Sequence, residues 1–346
     1  MAAETRRQPL LSPLSTPDQG IRFDWIISLF YCAFFFGVFL DAWAHSHGQV
    51  DDTFFTPWHA VMYGTFTGLA LFVMRTIVLN YKPKQSLFKA LPLGYGALLL
   101  GVGLFFVGGV GDLTWHTLFG IETDIEAIYS PSHLLLMAAM VLILGAPFRA
   151  AWLRRGDEAP SLLQFFPALL SLVFMVSIIG VVGIPISPYV IPEALRSGGS
   201  MGGSGIGIYA AGMWIYSAVL MGALLFAMRR WRMPFGSLTF LFAAHSAILC
   251  VISDHFWFIP FAAAAGFAAD LLALRLKLTG DGVNRTHFRL FAFVVPVILF
   301  GAVFAAVETF MHVGWVIHVW AGTMVTTGFV GLLLSYLILP QPRPTE

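Results

Sequence analysis

The chain has 346 residues, of which 58 % are hydrophobic and only 11 % charged, against roughly a quarter charged in an average soluble domain. That composition excludes an ordinary water-soluble domain, and a net charge of +1 gives no basic face for nucleic acid. The solvent this chain expects is lipid.

About 20 consecutive apolar residues are needed to cross the hydrocarbon core. Ten such windows occur, at 24–47, 57–79, 92–118, 131–153, 161–184, 207–229, 236–257, 259–278, 288–312 and 316–338. Lipid leaves no water for unpaired backbone groups and the windows lack the alternation of a barrel, so each predicts a helix. The expected fold class is therefore all-α, a polytopic transmembrane bundle of about ten helices.

Residues 1–20 are polar and proline-rich and predict a disordered tail. Arg6-Arg7 and Ala42-Trp-Ala44 have the flavour of an export signal, but the apolar run between them is too long for a signal-peptide core, and the first helix reads as retained. Lysine and arginine fall in alternate loops. Arg6, Arg7 and Arg22 precede the first window, Lys82, Lys84 and Lys89 follow the second, Arg149, Arg154 and Arg155 the fourth, and Arg229, Arg230 and Arg232 the sixth. Arg275, Lys277, Arg285 and Arg289 join the eighth and ninth, and only Arg196 lies in a loop of the other parity. The positive-inside rule then puts both termini in the cytoplasm of a cell-membrane protein.

The first two windows end and begin with Asp41-Ala-Trp-Ala-His45 and Asp52-Thr-Phe-Phe-Thr-Pro-Trp-His59. The next two repeat the wording, with Asp112-Leu-Thr-Trp-His116 and Glu126-Ala-Ile-Tyr-Ser-Pro-Ser-His133. The Asp and first His are offset by 71 residues between copies and the Pro and second His by 74, so only the connection changes length. This predicts tandem helical hairpins. A carboxylate and a histidine four apart share one helical face. Thr56 and Ser130 are suited to N-caps, with Pro57 and Pro131 at the first helical position, which points His59 and His133 back at the pair. Asp41, His45 and His59, and likewise Asp112, His116 and His133, are the candidate metal ligands. One Asp or His near a helix end reads as an interfacial residue in contact with water; the same triplet occurring twice reads as a site, since charged groups at depth are costly and mark function. His47, with no counterpart, reads as a loop residue or auxiliary ligand, and Trp43 and Trp115 as interfacial aromatics. Acidic Asp51, Asp52, Glu122, Asp124 and Glu126 make these loops favourable to cations.

Cys32 and Cys250 lie in apolar windows without CxxC spacing and read as packed thiols rather than a disulfide. Residues 185–206, rich in Pro and Gly, lack the Lys-Ser/Thr of a phosphate loop and read as an outer linker. It separates a half at 21–184 from one at 207–340, with a cytoplasmic tail at 341–346. The second half echoes the motif in Glu308-Thr-Phe-Met-His312 with His318, in His245, and in Asp254-His255. These are further candidate ligands. His287 and Asp270 have no such company and are set aside.

Two imidazoles and one carboxylate without thiolate suit copper, zinc or iron, and ligand type alone does not choose among them. Three protein ligands leave positions open for substrate or water. Asp112-Leu-Thr-Trp-His116 with Ser130-Pro-Ser-His133 resembles the copper-binding stretch of the C subunit of particulate methane monooxygenase and ammonia monooxygenase, D-x-T-W-H followed by T-P-S-H. The resemblance implies that Asp112, His116 and His133 are copper ligands, and through the repeat Asp41, His45 and His59 a second set. It implies a copper-dependent monooxygenase acting on a small apolar substrate reached from the lipid, with an electron donor and other membrane subunits as partners. A membrane carrier or metallochaperone for copper or zinc, and a zinc-dependent membrane hydrolase, are the rival readings. Transport predicts polar groups continuing inward, for which Asp270, Asp24 and Arg75 are the candidates.

Overall fold

The computed structural model describes residues 20–49, 54–120, 126–154, 159–196, 202–278 and 284–339. The chain forms thirteen α-helices there: α1 Gly20–Ser46, α2 Pro57–Asn80, α3 Gly96–Phe119, α4 Glu126–Tyr129, α5 Pro131–Leu144, α6 Ala146–Leu153, α7 Leu162–Val182, α8 Glu193–Arg196, α9 Gly202–Arg230, α10 Ser237–Ser253, α11 Phe258–Arg275, α12 Arg285–Phe310 and α13 Ile317–Ile338. No strand occurs among the described residues.

Nine spans are long and apolar enough to cross a membrane, counting α5 and α6 as the single run Pro131–Leu153. The window at 236–257 yields only the 17-residue α10, so nine rather than ten spans meet the length among the described residues. The helix stops at Asp254, whose φ of +58° is left-handed, a conformation that a short polar side chain tolerates better than its neighbours. The fourth window is also broken. Gly145 ends α5 and Pro147 opens α6 in its first turn, where a missing N–H costs little.

Mid-helix Leu29, Phe36, Leu71, Phe106 and Leu333 are between 63 and 68 % exposed. Such a belt of large apolar side chains would be a liability in water and is expected against acyl chains. Buried side chains include few carboxylates. Asp24, at the start of α1, ion-pairs with Arg154 and accepts from Tyr95 Oη at 2.7 Å. Asp270 of α11 accepts from the backbone amides of Leu238 and Thr239 and from the Thr239 hydroxyl. It thereby caps the N-terminus of α10, whose first N–H groups have no partner inside the helix.

Helices pack in antiparallel neighbours, α1 with α2, α3 with α5, α10 with α11 and α12 with α13, and α7 touches α1, α5, α6, α9 and α10. The first two hairpins close tightly at glycines. A Cβ on Gly37 would lie 2.9 Å from the Met62 Cα, and one on Gly108 2.9 Å from Leu136 Cδ2. Both pairs stand at the same 71- and 74-residue offsets as the motifs. Where α1 meets α3, Phe34 and Phe105 pack edge to face at 5.0 Å, with Phe66 against Phe105 at 4.4 Å. The stretch expected as an outer linker is packed where it is described. Tyr189 and Leu195 are buried, and Trp315 Nε1 and the Gly314 amide donate to the carbonyls of Ala194 and Leu195. Its apolar residues cover the α12–α13 turn, which composition by Pro and Gly did not reveal. Residues 197–201 and the tails before 20 and after 339 lie outside the described residues.

Candidate metal centre

The end of α1 carries Asp41 and His45 one turn apart, and the start of α2 carries His59 opposite them. Thr56 caps α2 by accepting from the His59 amide at 3.1 Å, with Pro57 next. The cap therefore fixes where His59 begins its turn. Its Nδ1–H donates to the Phe54 carbonyl at 2.6 Å, which places Nε2 toward α1. His59 Nε2 stands 3.4 Å from Asp41 Oδ1, and His45 Nε2 3.9 Å from Asp41 Oδ2.

The second hairpin repeats each step. Ser130 accepts from the His133 amide at 3.4 Å, Pro131 opens α5, and the His133 Nδ1–H donates to the Ala127 carbonyl. His133 Nε2 lies 3.0 Å and His116 Nε2 3.5 Å from Asp112 Oδ1, while His116 Nδ1–H points at the Gly120 carbonyl, 3.3 Å away. In each triplet the ligand atoms lie within 4.8 Å of one another.

The protonation pattern follows from these bonds. A neutral imidazole that donates through Nδ1 presents a bare lone pair at Nε2, the arrangement in which metal-binding histidines are held by a carbonyl behind them. At the first triplet His59 Nε2 and Asp41 Oδ1 are both buried and neither has a hydrogen-bond partner. Two lone pairs facing each other across 3.4 Å repel unless a cation or an added proton lies between them. Buried polar atoms without partners cost about 1–3 kcal/mol each, so the pair is preorganised for something positive. Donor set and orientation fit a divalent metal.

The two triplets adjoin. Ring centroids run from His45 to His59 at 6.2 Å, His59 to His116 at 6.3 Å and His116 to His133 at 5.7 Å. Tyr63 and Phe54 sit at the junction. Tyr63 Oη donates to Asp112 Oδ2 at 3.4 Å while its ring lies 5.9 Å from that of His59, and Phe54 contacts both His59 and His116. Neither residue stood out in the sequence. Tyr63 follows His59 by one turn and so shares its face, but the equivalent of the second copy is Met137, and the motif comparison therefore passes over it. The second triplet is the drier one, with the Asp112 and His116 side chains 1 % and 2 % exposed, against 15 % and 18 % for Asp41 and His45.

The further candidates do not come together among the described residues. Glu308 and His312 pair at 3.0 Å, but Glu308 also accepts from the Val313 amide and both side chains are more than half exposed. His318 is exposed at the start of α13. Asp254 instead accepts from His47 at 2.8 Å, and His255 stands 3.4 Å from Glu193. His245 is buried within α10, 3.0 Å from Ser177 Oγ. His47 uses its other nitrogen on the Trp43 carbonyl, so both ring atoms are engaged. Its hydrogen bond to the Asp254 carboxylate holds its pKa above the usual histidine value. Trp43 stacks on His47 and Trp115 packs against Phe119. Cys32 and Cys250 are free thiols. Asp51, Asp52, Glu122 and Asp124 lie outside the described residues.

No family model matches the chain, and neither a curated protein nor a solved structure matches it, so its likeness to the copper subunit rests on the motif residues alone.

Proposed function

We propose that the chain is a membrane metalloprotein that holds copper in two Asp-His-His triplets at the extracytoplasmic face and hydroxylates a small hydrophobic substrate. The observation that carries the metal reading is the buried, unpartnered His59 Nε2 facing Asp41 Oδ1, with His59 locked from behind by the Phe54 carbonyl. Copper is favoured over zinc or iron by the D-x-T-W-H and S-P-S-H wording at Asp112–His116 and Ser130–His133. Such a centre supplies electron exchange and Lewis acidity. The chain supplies the rest: Asp41 and Asp112 offset the metal charge, the four histidines fix its position, and Phe54 and the surrounding phenylalanines keep the junction dry.

We read the two hairpins as duplicates about a pseudo-twofold axis. The contact of Phe34 with Phe105 supports this, since the two are equivalents 71 residues apart and equivalents touch only near such an axis. Asp24 and Tyr95, also 71 apart, meet at the other end. We assign that other end to the cytoplasm, a reading that the arginine and lysine distribution supports. Asp24 and Asp270, the carboxylates that a transport path would use there, are already spent on an ion pair and a helix cap, and Arg75 is exposed on α2. This favours chemistry at one face over passage across the membrane.

The test is oxygen uptake by copper-loaded protein in nanodiscs with a chemical reductant and a panel of medium-chain alkanes. Alkane-dependent uptake that disappears in Asp112→Asn is expected. Turnover that proceeds equally under argon, or follows zinc, would overturn the oxidative reading in favour of hydrolysis.

A further inference from the structure

The distance between the triplets is no larger than the distances inside them. Ring centroids stand 6.2 Å apart within the first, His45 to His59, and 5.7 Å apart within the second, His116 to His133. His59 and His116 belong to different triplets and stand 6.3 Å apart. Phe54 does not separate them. Its centroid lies 4.6 Å from His59 and 5.9 Å from His116, and three rings at those separations form a triangle with Phe54 to one side. By the repeat offsets the equivalent crossing is His45 with His133. Those two imidazoles interact electrostatically, and so do Asp41 and Asp112. The two carboxylates are themselves equivalents 71 residues apart, so the pseudo-axis runs between the cages.

Charge leads to the same place. Asp41 and Asp112 pair only with histidines, and neither has a lysine or arginine partner among the described residues. His59 and His133 spend their Nδ1–H groups on carbonyls and so turn lone pairs toward the carboxylates. No side chain of either triplet is more than 18 % exposed, and a buried charge is costly unless it is paired. One cation in one cage leaves the other carboxylate facing bare lone pairs. Two cations offset both.

We infer that the two triplets are one dinuclear centre, in which both cages fill and the two ions act as a coupled pair rather than as independent sites. This rests on the metal reading of the triplets and adds how the two metals stand to each other. A pair of metals so placed holds a small oxygen-donor ligand from both sides, as two-metal sites do.

The experiment loads the full chain in nanodiscs with copper(II), oxidises it with ferricyanide, desalts it, and compares the EPR spin count with copper counted by elemental analysis. With both triplets filled, wild type is expected to lose most of the spin signal that its copper would give as isolated ions. His45→Ala/His59→Ala and His116→Ala/His133→Ala each keep one cage, and in each the spin count should equal the copper. Wild type whose bound copper all counts as isolated spins would overturn the inference while the two-triplet reading stands. Spin loss that persists in either paired variant would overturn it too, because a single cage has no partner to couple with. Wild type that binds no copper overturns both, and the elemental count tells these failures apart.

Discussion

The end of α3 and the end of α12 carry the same local spacing, a carboxylate and a histidine four residues apart, and reach opposite results. At Asp112 and His116 both side chains are buried and a capped His133 arrives from α5 against the same carboxylate oxygen. At Glu308 and His312 both carboxylate oxygens are used locally, His312 sits past the helix end at φ +68°, and both side chains face outward. The D-x-x-x-H spacing therefore supplies only half a site. The other half is a second helix whose start is fixed by a Thr/Ser-Pro cap, which aims a histidine back at the first.

The comparison can be broken at the point where each first-half hairpin closes. Gly37→Ala forces a methyl against the Met62 backbone, which cannot yield, and is expected to cost about 1–3 kcal/mol, as overpacking does. Gly108→Ala meets the end of the Leu136 side chain instead, so less than about 1 kcal/mol is expected on the same scale. Denaturant titration of both variants in mixed micelles measures the difference; equal losses would contradict the asymmetry.

Removing the caps comes next. Thr56→Ala and Ser130→Ala each delete an acceptor for a histidine amide, at about 1 kcal/mol per cap. A corresponding loss of affinity, about fivefold at the triplet on that hairpin only, is expected from competitive chelator titration. The equivalent start of α13 has Val316 at its cap and no side-chain acceptor, so Val316→Ala should change nothing there.

Tyr63→Phe removes a long hydrogen bond to Asp112, worth no more than about 1 kcal/mol. The expected signature is a shift at the second triplet caused by a change on the first hairpin. A shift confined to the first triplet would mean that Tyr63 does not join them.

The smallest effect belongs to the His47 and Asp254 pair, which is largely exposed and screened. Because the folded pKa of His47 is raised by its bond to Asp254, its contribution is complete below the ordinary histidine value near 6.5. It fades as pH rises through the raised value. Thermal midpoints of wild type and Asp254→Asn should differ most below pH 6.5 and converge in alkali; a gap that widens with pH would reverse the sign.

Most of the frame was legible in the sequence because a lipid solvent imposes one rule, long apolar runs closed on their own hydrogen bonds. The caps at Thr56 and Ser130 were legible for a similar reason, since their chemistry is local. Tertiary facts were not. The Gly145 and Pro147 break lies within a run of uniform hydropathy. The packed cover at 185–196 looks like a linker by composition, yet its Tyr189 packs against His245 of α10 and Phe258 of α11, and Leu195 accepts from the Gly314 amide in the turn before α13. The pairing of Asp254 with His47 joins residues 207 apart, and no spacing rule reaches that far. At the site, the triplets were readable from periodicity, but Tyr63, Phe54 and the adjacency of His59 with His116 arise from packing between hairpins.

The measurement that bears most directly on the central claim is the metal content of detergent-purified protein, by elemental analysis, for wild type and two paired variants. Copper at up to two equivalents is expected, with one lost in His116→Ala/His133→Ala and the other in His45→Ala/His59→Ala, and no loss in His312→Ala/His318→Ala. A metal content unchanged by the first two pairs, or absent from wild type after copper loading, would contradict the account.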